Sequence, residues 1–286
     1  MHSIDASYQN CSEYTRKHAA NFHYAFRHLD HQRQQSIHAL YAFCQYADSI
    51  VDGDDPAVEK ENKLSQLESA VTGSDSNSDE QATDWLLPAL SDTIDRFHLP
   101  EKLLRSFLAG MRMDLEESDF ETFEQLYDYA WRVASVVGLL SIEIFGYQNE
   151  SVKQYAGQLG LALQLTNIIR DVRTDALRNR CYLPLEDLKR FGVNRDDLFA
   201  GRVSASYRDM MKFEAERAEQ YYRGTVGLLD REDRLTMLPS EIMKNIYHQL
   251  LHKIKANGFP LDENVIRLSK GTKLWITLRT RLMLHH

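Results

Sequence analysis

The sequence predicts an all-α fold, and three observations support this prediction. Glycine and proline are scarce, with 13 and 6 residues in a chain of 286, so long windows contain no helix breaker. Within most of these windows apolar residues recur at spacings of three and four residues, which is the period of an amphipathic helix. The sequence shows neither the alternating pattern of a half-buried strand nor an internal repeat of fixed period.

The clearest helix is predicted over residues 31–52. Its apolar positions, among them Ile37, Leu40 and Cys44, follow the helical spacing, and Asp30 precedes them as the expected N-cap. Further helices are predicted over residues 83–97, 100–116, 122–146, 150–177, 204–228 and 238–257, with breaks at Pro100, near Ser118, at Gly146, after Asp175 and at Gly258. The polar segment 72–84 is predicted to be a loop. It is too short to separate domains, so a single domain is expected over residues 1–286.

The composition argues against several classes of protein. Hydrophobic residues make up 43% and charged residues 27% of the chain, which is typical of a folded protein. The 34 basic and 42 acidic residues give a net charge of −8, which opposes unspecific binding to nucleic acid. Three cysteines without a CxxC spacing indicate neither a disulfide framework nor a cysteine-based zinc site, and they fit the reducing cytoplasm.

The sequence does not predict a membrane anchor. The N-terminal stretch MHSIDASYQN lacks the basic and apolar regions of a signal peptide. The most apolar stretch, VVGLLSIEIFGY, contains Glu143 and is too short to span a bilayer. We therefore expect a cytoplasmic protein.

Two of the predicted helices carry an acidic stripe. Asp48 and Asp52 lie four residues apart and share one helix face with Tyr41 and Gln45. Taken alone, such a pair of aspartates is usually a solvated helix face. A second pair on a separate apolar helix weakens that interpretation.

The second stripe lies in the window LALQLTNIIRDVRTD. Gln164, Asn167, Asp171 and Asp175 fall on one face of a helix whose other positions are mostly Leu and Ile, so this helix is predicted to be buried nearly all round. Buried carboxylates repel one another and need a cation. Magnesium prefers oxygen ligands, and two facing DxxxD helices can hold a diphosphate through bridging metal ions. The predicted chemistry is ionisation of that diphosphate.

Longer motifs around these residues resemble a known family. The stretches YAFCQYADSIVD (41–52) and QLTNIIRDVRTDALRNRCYLP (164–184) are similar to the two aspartate motifs of the squalene and phytoene synthases, and the resemblance covers nearly the whole chain. The stretches NFHYAFRHLD, GMRMDLE, YAWRVASVVGLLSIEIFGY and RLSKGTKLWITLR resemble most closely the bacterial presqualene diphosphate synthases of hopanoid-type squalene pathways. The resemblance implies an isoprenoid synthase helical bundle around a central cavity. It also implies magnesium, and the joining of two farnesyl diphosphates to presqualene diphosphate with release of pyrophosphate.

The resemblance also implies roles for individual residues. The metal ligands would be Asp48, Asp52, Asn167, Asp171 and Asp175, and the catalytic residues would be these four aspartates with Tyr41 and Tyr129. The substrate would be bound by Gln45, Gln164, Arg170, Arg267 and Lys273 near the diphosphate and by Phe22, Phe26 and Tyr247 along the prenyl chain. The alternatives are core packing for the aromatic residues and a solvated surface charge for the basic ones.

Several residues depart from the family pattern. Gln45 stands where the family commonly has Arg, Ser49 where it commonly has a second Asp, and Arg173 and Thr174 where Gly and Glu are usual. Gln45 brings no positive charge, so one diphosphate subsite is expected to bind more weakly. Arg173 is expected either to point outward or to touch diphosphate.

Three functions remain open at this point. They are a presqualene diphosphate synthase, a synthase of the same family that makes squalene, dehydrosqualene or phytoene, and a non-catalytic helical assembly protein. NADPH is expected only if the reaction proceeds to squalene. Besides farnesyl diphosphate, the candidate partners are downstream pathway enzymes and the inner membrane surface. The basic amphipathic stretch KGTKLWITLRTRLMLHH is predicted either to dock there or to pack as a terminal helix.

Overall fold

A computed structural model describes residues 3–18, 25–73, 83–116, 119–263 and 265–284. In chain order its helices are α1 (Ile4–His18), α2 (His31–Asp52), α3 (Ala57–Thr72), α4 (Leu87–Phe97), α5 (Glu101–Glu116), α6 (Phe123–Ala130), a π-helical segment (Trp131–Ser135), α7 (Val136–Phe145), α8 (Ser151–Leu177), α9 (Leu185–Phe191), α10 (Arg195–Phe199), α11 (Ala205–Gly224), α12 (Arg231–Thr236), α13 (Leu238–Ala256) and α14 (Lys270–Leu284). Within the described ranges there is no β-strand, and β-type backbone pairing is limited to one isolated bridge between Asp119 and Cys181. The predicted all-α fold is confirmed.

The predicted helix boundaries agree well with the structure where the sequence signals were strong. Helix α2 covers the predicted residues 31–52, and the Asp30 side chain accepts a hydrogen bond from the backbone N–H of Arg33 at 3.0 Å, as expected of an N-cap. Helix α1, helix α3 and the three short helices α9, α10 and α12 were not predicted. The predicted break near Ser118 and residues 74–82 of the predicted loop lie outside the described residues.

The predicted helix 122–146 contains a local change in helix type. Its first part, α6, passes into the π-helical segment and then into α7, which ends at Gly146 with φ of 79°. The segment lies where α8 comes very close. A Cβ atom on Gly160 would be 2.5 Å from Cα of Ser135, so only glycine fits there. Such π-helical turns are frequently found at functional sites.

Helix α8 lies at the centre of the packing. It contacts α7, α11, α13 and the π-helical segment. About half of its residues are buried and most of the others are half-buried, and only Gln154 and Leu177 are exposed, which agrees with the predicted burial on nearly all sides. The buried hydrophobic residues form one cluster, to which α1, α2, α5 and the helices around α8 all contribute. This arrangement holds the acidic stripes of α2 and α8 in fixed positions within one bundle.

Helix α14 has one buried face and one exposed apolar face. Ile276, Thr277 and Thr280 are buried, and the Thr280 hydroxyl accepts a hydrogen bond from the side-chain amide of Asn245 on α13 at 2.9 Å. Leu274, Trp275, Leu278, Leu282 and Met283 on the same helix are 54–64% exposed. A helix able to cross a membrane was not found among the described residues.

Candidate active site

A large cavity brings the two acidic stripes together. Its volume is about 1020 Å³, and it adjoins a smaller pocket of about 210 Å³. The same six residues line both spaces, namely Cys44, Gln45, Val133, Gln164, Asn167 and Tyr247. The large cavity is lined by acidic and basic side chains, whereas the smaller pocket is mostly apolar and aromatic. Together they form one continuous amphipathic site.

Helix α2 contributes its predicted stripe to this site. Gln45, Asp48 and Asp52 line the large cavity. The carboxylate of Asp52 accepts hydrogen bonds from Arg178 at 2.5 Å and from Arg180 at 2.6 Å. The Asp48 side chain is exposed towards the cavity, but the cavity walls desolvate its carboxylate. This desolvation, followed by the charge of Asp52, raises the pKa of Asp48 to about 6.

Helix α8 contributes the second stripe. Asn167, Asp171 and Asp175 line the cavity at one-turn spacing. Asp171 is paired with Arg170, whose Nε donates to its carboxylate at 2.7 Å. Burial, followed by the charge of Asp171, raises the pKa of Asp175 to about 7. Within the described part of the chain, neither Asp48 nor Asp175 forms a salt bridge.

The residues of the two stripes fit a hard divalent cation. Their ligand atoms are all oxygens, which magnesium prefers. Among the described residues, Oδ1 of Asn167 is buried and accepts no hydrogen bond, although its amide donates to Gln164 Oε1 at 3.5 Å. An unpaired buried oxygen is costly. A cation bound between the stripes would satisfy it and would neutralise Asp48 and Asp175.

A fifth acidic residue of the large cavity, Asp114 on α5, was not predicted from the sequence. It lines the same cavity, and its carboxylate accepts hydrogen bonds from the hydroxyls of Tyr129 at 2.8 Å and Tyr182 at 2.7 Å. Desolvation raises the pKa of Asp114 despite these bonds. The stretch GMRMDLE was a possible sign of this site residue, because it places Asp114 among apolar residues. It was overlooked because Asp114 has no second acid beside it to form a stripe on the same helix.

Basic side chains complete the wall of the large cavity. Arg170, Arg267 and Lys273 lie there, as predicted from the resemblance. Burial, together with the nearby Arg267, lowers the pKa of Lys273. Lys17, Arg178 and Arg180 also line the cavity and were not predicted, although the two arginines lie inside the second aspartate motif. The site therefore offers several cations to an anionic substrate.

The predicted aromatic residues divide between the two spaces. Phe26 and Tyr41 line the smaller pocket with their ring centroids 4.9 Å apart, and Phe145 packs on Phe26 at 6.4 Å. Tyr129 lines the large cavity, and Tyr247 lies where the two spaces meet. Phe22 lies outside the described residues. Every other predicted site residue lines one of the two spaces.

The comparison with protein families agrees with this geometry. The family model described as "Squalene/phytoene synthase" matches residues 15–272, which is most of the chain. The chain belongs to the squalene/phytoene synthase family. This confirms the predicted family. Enzymes of this family are prenyltransferases that condense two prenyl diphosphates head to head, and they use a divalent metal to bind the diphosphate.

Several curated relatives of this squalene/phytoene synthase family member are phytoene synthases. The 15-cis-phytoene synthase of Synechocystis is 34% identical over 269 residues, which cover 90% of this chain and 79% of that protein. Phytoene synthase 3 of Zea mays is 34% identical over 269 residues, which cover 90% of this chain. The match covers 61% of the maize protein.

Solved structures show the same fold. The crystal structure of a dehydrosqualene synthase in complex with ligand matches with a TM-score of 0.86 and 27% identity, covering 99% of this chain and 98% of that chain. A squalene synthase from Alicyclobacillus acidocaldarius matches with a TM-score of 0.78 and 24% identity, covering 90% of this chain and 96% of that chain. At this identity the second match supports the fold alone.

Two of the four residues that depart from the squalene/phytoene synthase pattern line the site, and two do not. Gln45 lines both spaces, and Thr174 lines the large cavity with its hydroxyl donating to the backbone carbonyl of Asp171 at 2.9 Å. Ser49 is exposed and donates to the Tyr46 carbonyl at 2.7 Å. Arg173 donates to the Phe199 carbonyl and lies 3.9 Å from Glu263. Arg173 is therefore directed away from the large cavity, whose lining does not include it.

Proposed function

We propose that this enzyme condenses two molecules of farnesyl diphosphate to presqualene diphosphate, for squalene or hopanoid biosynthesis. One observation carries the proposal. Two acidic helical stripes and several cations line a single cavity, and that cavity continues into an apolar aromatic pocket. A prenyl diphosphate has the same division into an anionic head and an apolar chain.

The proposed reaction begins at the diphosphate. The allylic C–O bond of the first substrate breaks, and pyrophosphate leaves with the electron pair. The double bond of the second substrate then attacks the resulting allylic cation, and loss of one proton closes the cyclopropane ring. The second diphosphate stays in the product, so atoms and charge balance.

The residues of the stripes serve the departing pyrophosphate. Asp48, Asp52, Asn167, Asp171 and Asp175 would hold magnesium, which supplies positive charge for the leaving group. Arg170, Arg267 and Lys273 bind diphosphate oxygens with charge-assisted hydrogen bonds. Gln45 and Gln164 contribute neutral polar contacts at the boundary between the two spaces.

The aromatic residues serve the prenyl chain and the allylic cation. Phe26 and Tyr41 form part of the wall of the smaller pocket and hold the chain away from water. Tyr129 and Tyr247 are buried beside the charged cavity, where aromatic faces stabilise positive charge on carbon. The Tyr129 hydroxyl donates to Asp114, which fixes the ring and leaves this carboxylate as a proton acceptor near the reacting carbons.

Phytoene synthesis is the second candidate, because the curated relatives reported above carry that name. It would use geranylgeranyl diphosphate, which has a longer prenyl chain. The smaller pocket, lined by Phe26, Tyr41 and Phe145 among others, has a volume of about 210 Å³, and this limited volume supports the shorter farnesyl chain.

Product analysis tests the proposal. Purified protein is incubated with magnesium and either farnesyl or geranylgeranyl diphosphate, with and without NADPH, and the lipids are identified by mass spectrometry. We expect presqualene diphosphate from farnesyl diphosphate in the absence of NADPH. Three results would contradict the proposal. They are squalene formed only with NADPH, dehydrosqualene as the product, and a product formed only from geranylgeranyl diphosphate. The Asp48→Asn variant, which is expected to be inactive, is the negative control.

We also propose that α14 contacts the inner membrane surface peripherally, because the product is an amphiphile that must reach a bilayer. Leu274, Trp275, Leu278 and Leu282 form an exposed apolar face. Arg279 lies over the Trp275 ring at 5.2 Å, and Arg281 is exposed on the same helix. A basic amphipathic helix of this kind suits an anionic lipid surface.

Point substitutions test this contact better than truncation, which would also remove the buried residues Ile276 and Thr280. A variant with Leu278→Gln and Leu282→Gln is expected to sediment less with anionic vesicles than the wild type and to keep its turnover in detergent. The exposed Val58 and Val226, on other parts of the surface, provide a matched double-Gln control. Equal sedimentation of all three proteins would exclude the proposed contact.

A further inference from the structure

A second group of metal-ligating side chains lies outside the diphosphate cavity. Glu219 on α11 faces His248 and His252 on α13, and one ligand atom from each residue lies within 4.8 Å of the other two. Nε2 of His248 is 2.7 Å from Oε2 of Glu219, and the two histidine rings have centroids 4.4 Å apart. None of the three residues lines the cavity or the smaller pocket.

The backbone geometry is suited to chelation. His248 and His252 are four residues apart, so both rings project from one face of α13. Glu219 comes from a different helix, and α11 packs against α13. Zinc binds nitrogen and carboxylate oxygen at about 2.0–2.2 Å, so two ligands of one ion lie roughly 3–4 Å apart. Small side-chain rotations bring the three atoms to that separation.

We propose that Glu219, His248 and His252 form a binding site for a divalent transition metal of the zinc class. Two imidazole nitrogens and one carboxylate are a donor set that zinc uses in proteins, with water as the fourth ligand. His252 is exposed, so water can reach the fourth position. Imidazole nitrogen also distinguishes this site from the oxygen-lined cavity, because magnesium prefers oxygen ligands.

Lys255 provides the competing explanation of the cluster. Its ammonium group lies 3.3 Å from Oε1 of Glu219, so the group is also satisfied as an ion-pair network without metal. The Lys255 side chain is 36% exposed and can move into solvent when a metal binds. Removal of this positive charge should therefore strengthen metal binding, whereas a simple ion-pair network gains no metal affinity from the change.

Metal at this position would join α11 to α13 behind the central helix. The His248 ring packs on Tyr222 with centroids 4.6 Å apart. The Tyr222 hydroxyl lies 3.0 Å from the hydroxyl of Thr166 on α8. Bound metal would therefore stiffen the packing around α8, which predicts a higher melting temperature for the zinc-loaded full-length protein.

Zinc binding to the full chain tests the site without reference to turnover. Titration calorimetry with zinc, in excess magnesium, should show one more bound ion in the wild type than in a His248→Gln/His252→Gln variant. Cobalt(II) bound at this site should absorb visible light, because the mixed nitrogen and oxygen ligands give it low symmetry. This absorption should be seen with the wild type and not with the double-histidine variant. Lys255→Met should tighten zinc binding, and Glu219→Gln should weaken it by about tenfold or more. His31→Gln removes an exposed histidine elsewhere and is the control.

The histidines at the chain ends remain in all variants, so a difference between variants reports on this cluster. Equal zinc stoichiometry and equal cobalt spectra in the wild type and the double-histidine variant would overturn the proposal. Unchanged zinc affinity in Lys255→Met would do the same. These readouts do not depend on the proposed condensation, so either proposal can fail while the other stands.

Discussion

At the scale of single residues, the four aspartates of the candidate active site differ in their charge compensation. Asp52 is held by Arg178 and Arg180, and Asp171 is held by Arg170. Asp48 and Asp175 have raised pKa values because the surrounding cavity walls leave their charges poorly solvated. This difference means that substitutions at equivalent-looking positions should have different effects on stability.

Asp48→Asn should abolish most turnover and leave the metal-free fold at least as stable as the wild type. The loss of a metal ligand should cost several kcal/mol of transition-state stabilisation, whereas removal of a desolvated charge relieves repulsion. Turnover and thermal melting in magnesium-free buffer are the measurements. Magnesium-dependent activity above about a tenth of wild type would contradict the metal assignment.

Asp171→Asn should also abolish turnover, but with a loss of stability. Arg170 would lose its ionic partner in a partly buried position, and an unpaired buried charge costs about 1–3 kcal/mol. Comparison of its melting temperature with that of Asp48→Asn separates the two roles. Identical melting of the two variants would show that the Arg170–Asp171 pair does not support the fold.

Gln45→Arg should lower the apparent KM for the diphosphate substrate by about tenfold or more. Gln45 lines the cavity, and a new charge-assisted hydrogen bond to phosphate contributes about 1.5–3 kcal/mol. Ser49→Arg adds the same charge at an exposed position one turn away and is the control. Unchanged kinetics in Gln45→Arg would mean that a cation already present, such as Lys17, serves that subsite.

At the scale of helices, the cavity wall depends on close backbone contact. The π-helical segment contributes Val133 and Ala134 to the wall of the smaller pocket, and it meets α8 at Gly160, which lines the same pocket. On its other flank, a Cβ atom on Gly110 of α5 would lie 2.7 Å from Cβ of Arg132. Two glycines therefore allow three helices to come together at this point of the wall.

Gly160→Ala should destabilise the protein and raise KM together. The new methyl group would lie 2.5 Å from Cα of Ser135, and overpacking of this kind costs about 1–3 kcal/mol. Relief of the clash would shift the segment that forms the pocket wall. In Gly271→Ala the new methyl group has its nearest neighbour at 3.9 Å, so this variant should melt within a few degrees of wild type. Equal effects of the two variants would refute the close-contact argument.

The helices that the sequence predicted are those with dense apolar periodicity. Helix α3 was missed because Leu64, Leu67 and Val71 are its only buried residues, too few for a recognisable pattern. The π-helical segment was missed because one wider turn hardly changes the apolar spacing. The acidic stripes were visible because their members are neighbours on one helix. Asp114 was not, because its partners Tyr129 and Tyr182 lie on other segments.

At the scale of the whole molecule, the raised pKa values link folding to pH. The pKa of Asp175 is about 7 in the folded state against 3.8 for the ordinary group. Protons therefore bind the folded state more tightly than the unfolded state, and Asp175 lowers the free energy of unfolding as pH rises from about 4 through about 7. Below about pH 4 the group is protonated in both states and has no effect.

Asp175→Asn should therefore be more stable than the metal-free wild type at pH 8. The expected gain is about 1–3 kcal/mol, allowing for screening by water in the cavity, and it should vanish as pH falls to about 4. Chemical denaturation at several pH values, with a chelator present, measures this difference. A pH-independent difference would show that the effect comes from packing and not from the charge of Asp175.

The arginines that hold Asp52 also have a consequence for the order of ligand binding. In the protein alone, Arg178 and Arg180 both pair with the carboxylate of Asp52 on the first acidic stripe. A metal ion bound alone leaves these two cations without an anion, and pyrophosphate bound alone leaves Asp52 without a cation. When both bind, each charge finds a new partner. Magnesium and pyrophosphate should therefore bind with positive cooperativity, and each should raise the affinity of the protein for the other by the same factor. The ion pairs of Asp52 with the two arginines are then replaced by separate pairs of Asp52 with the metal ion and of the arginines with pyrophosphate.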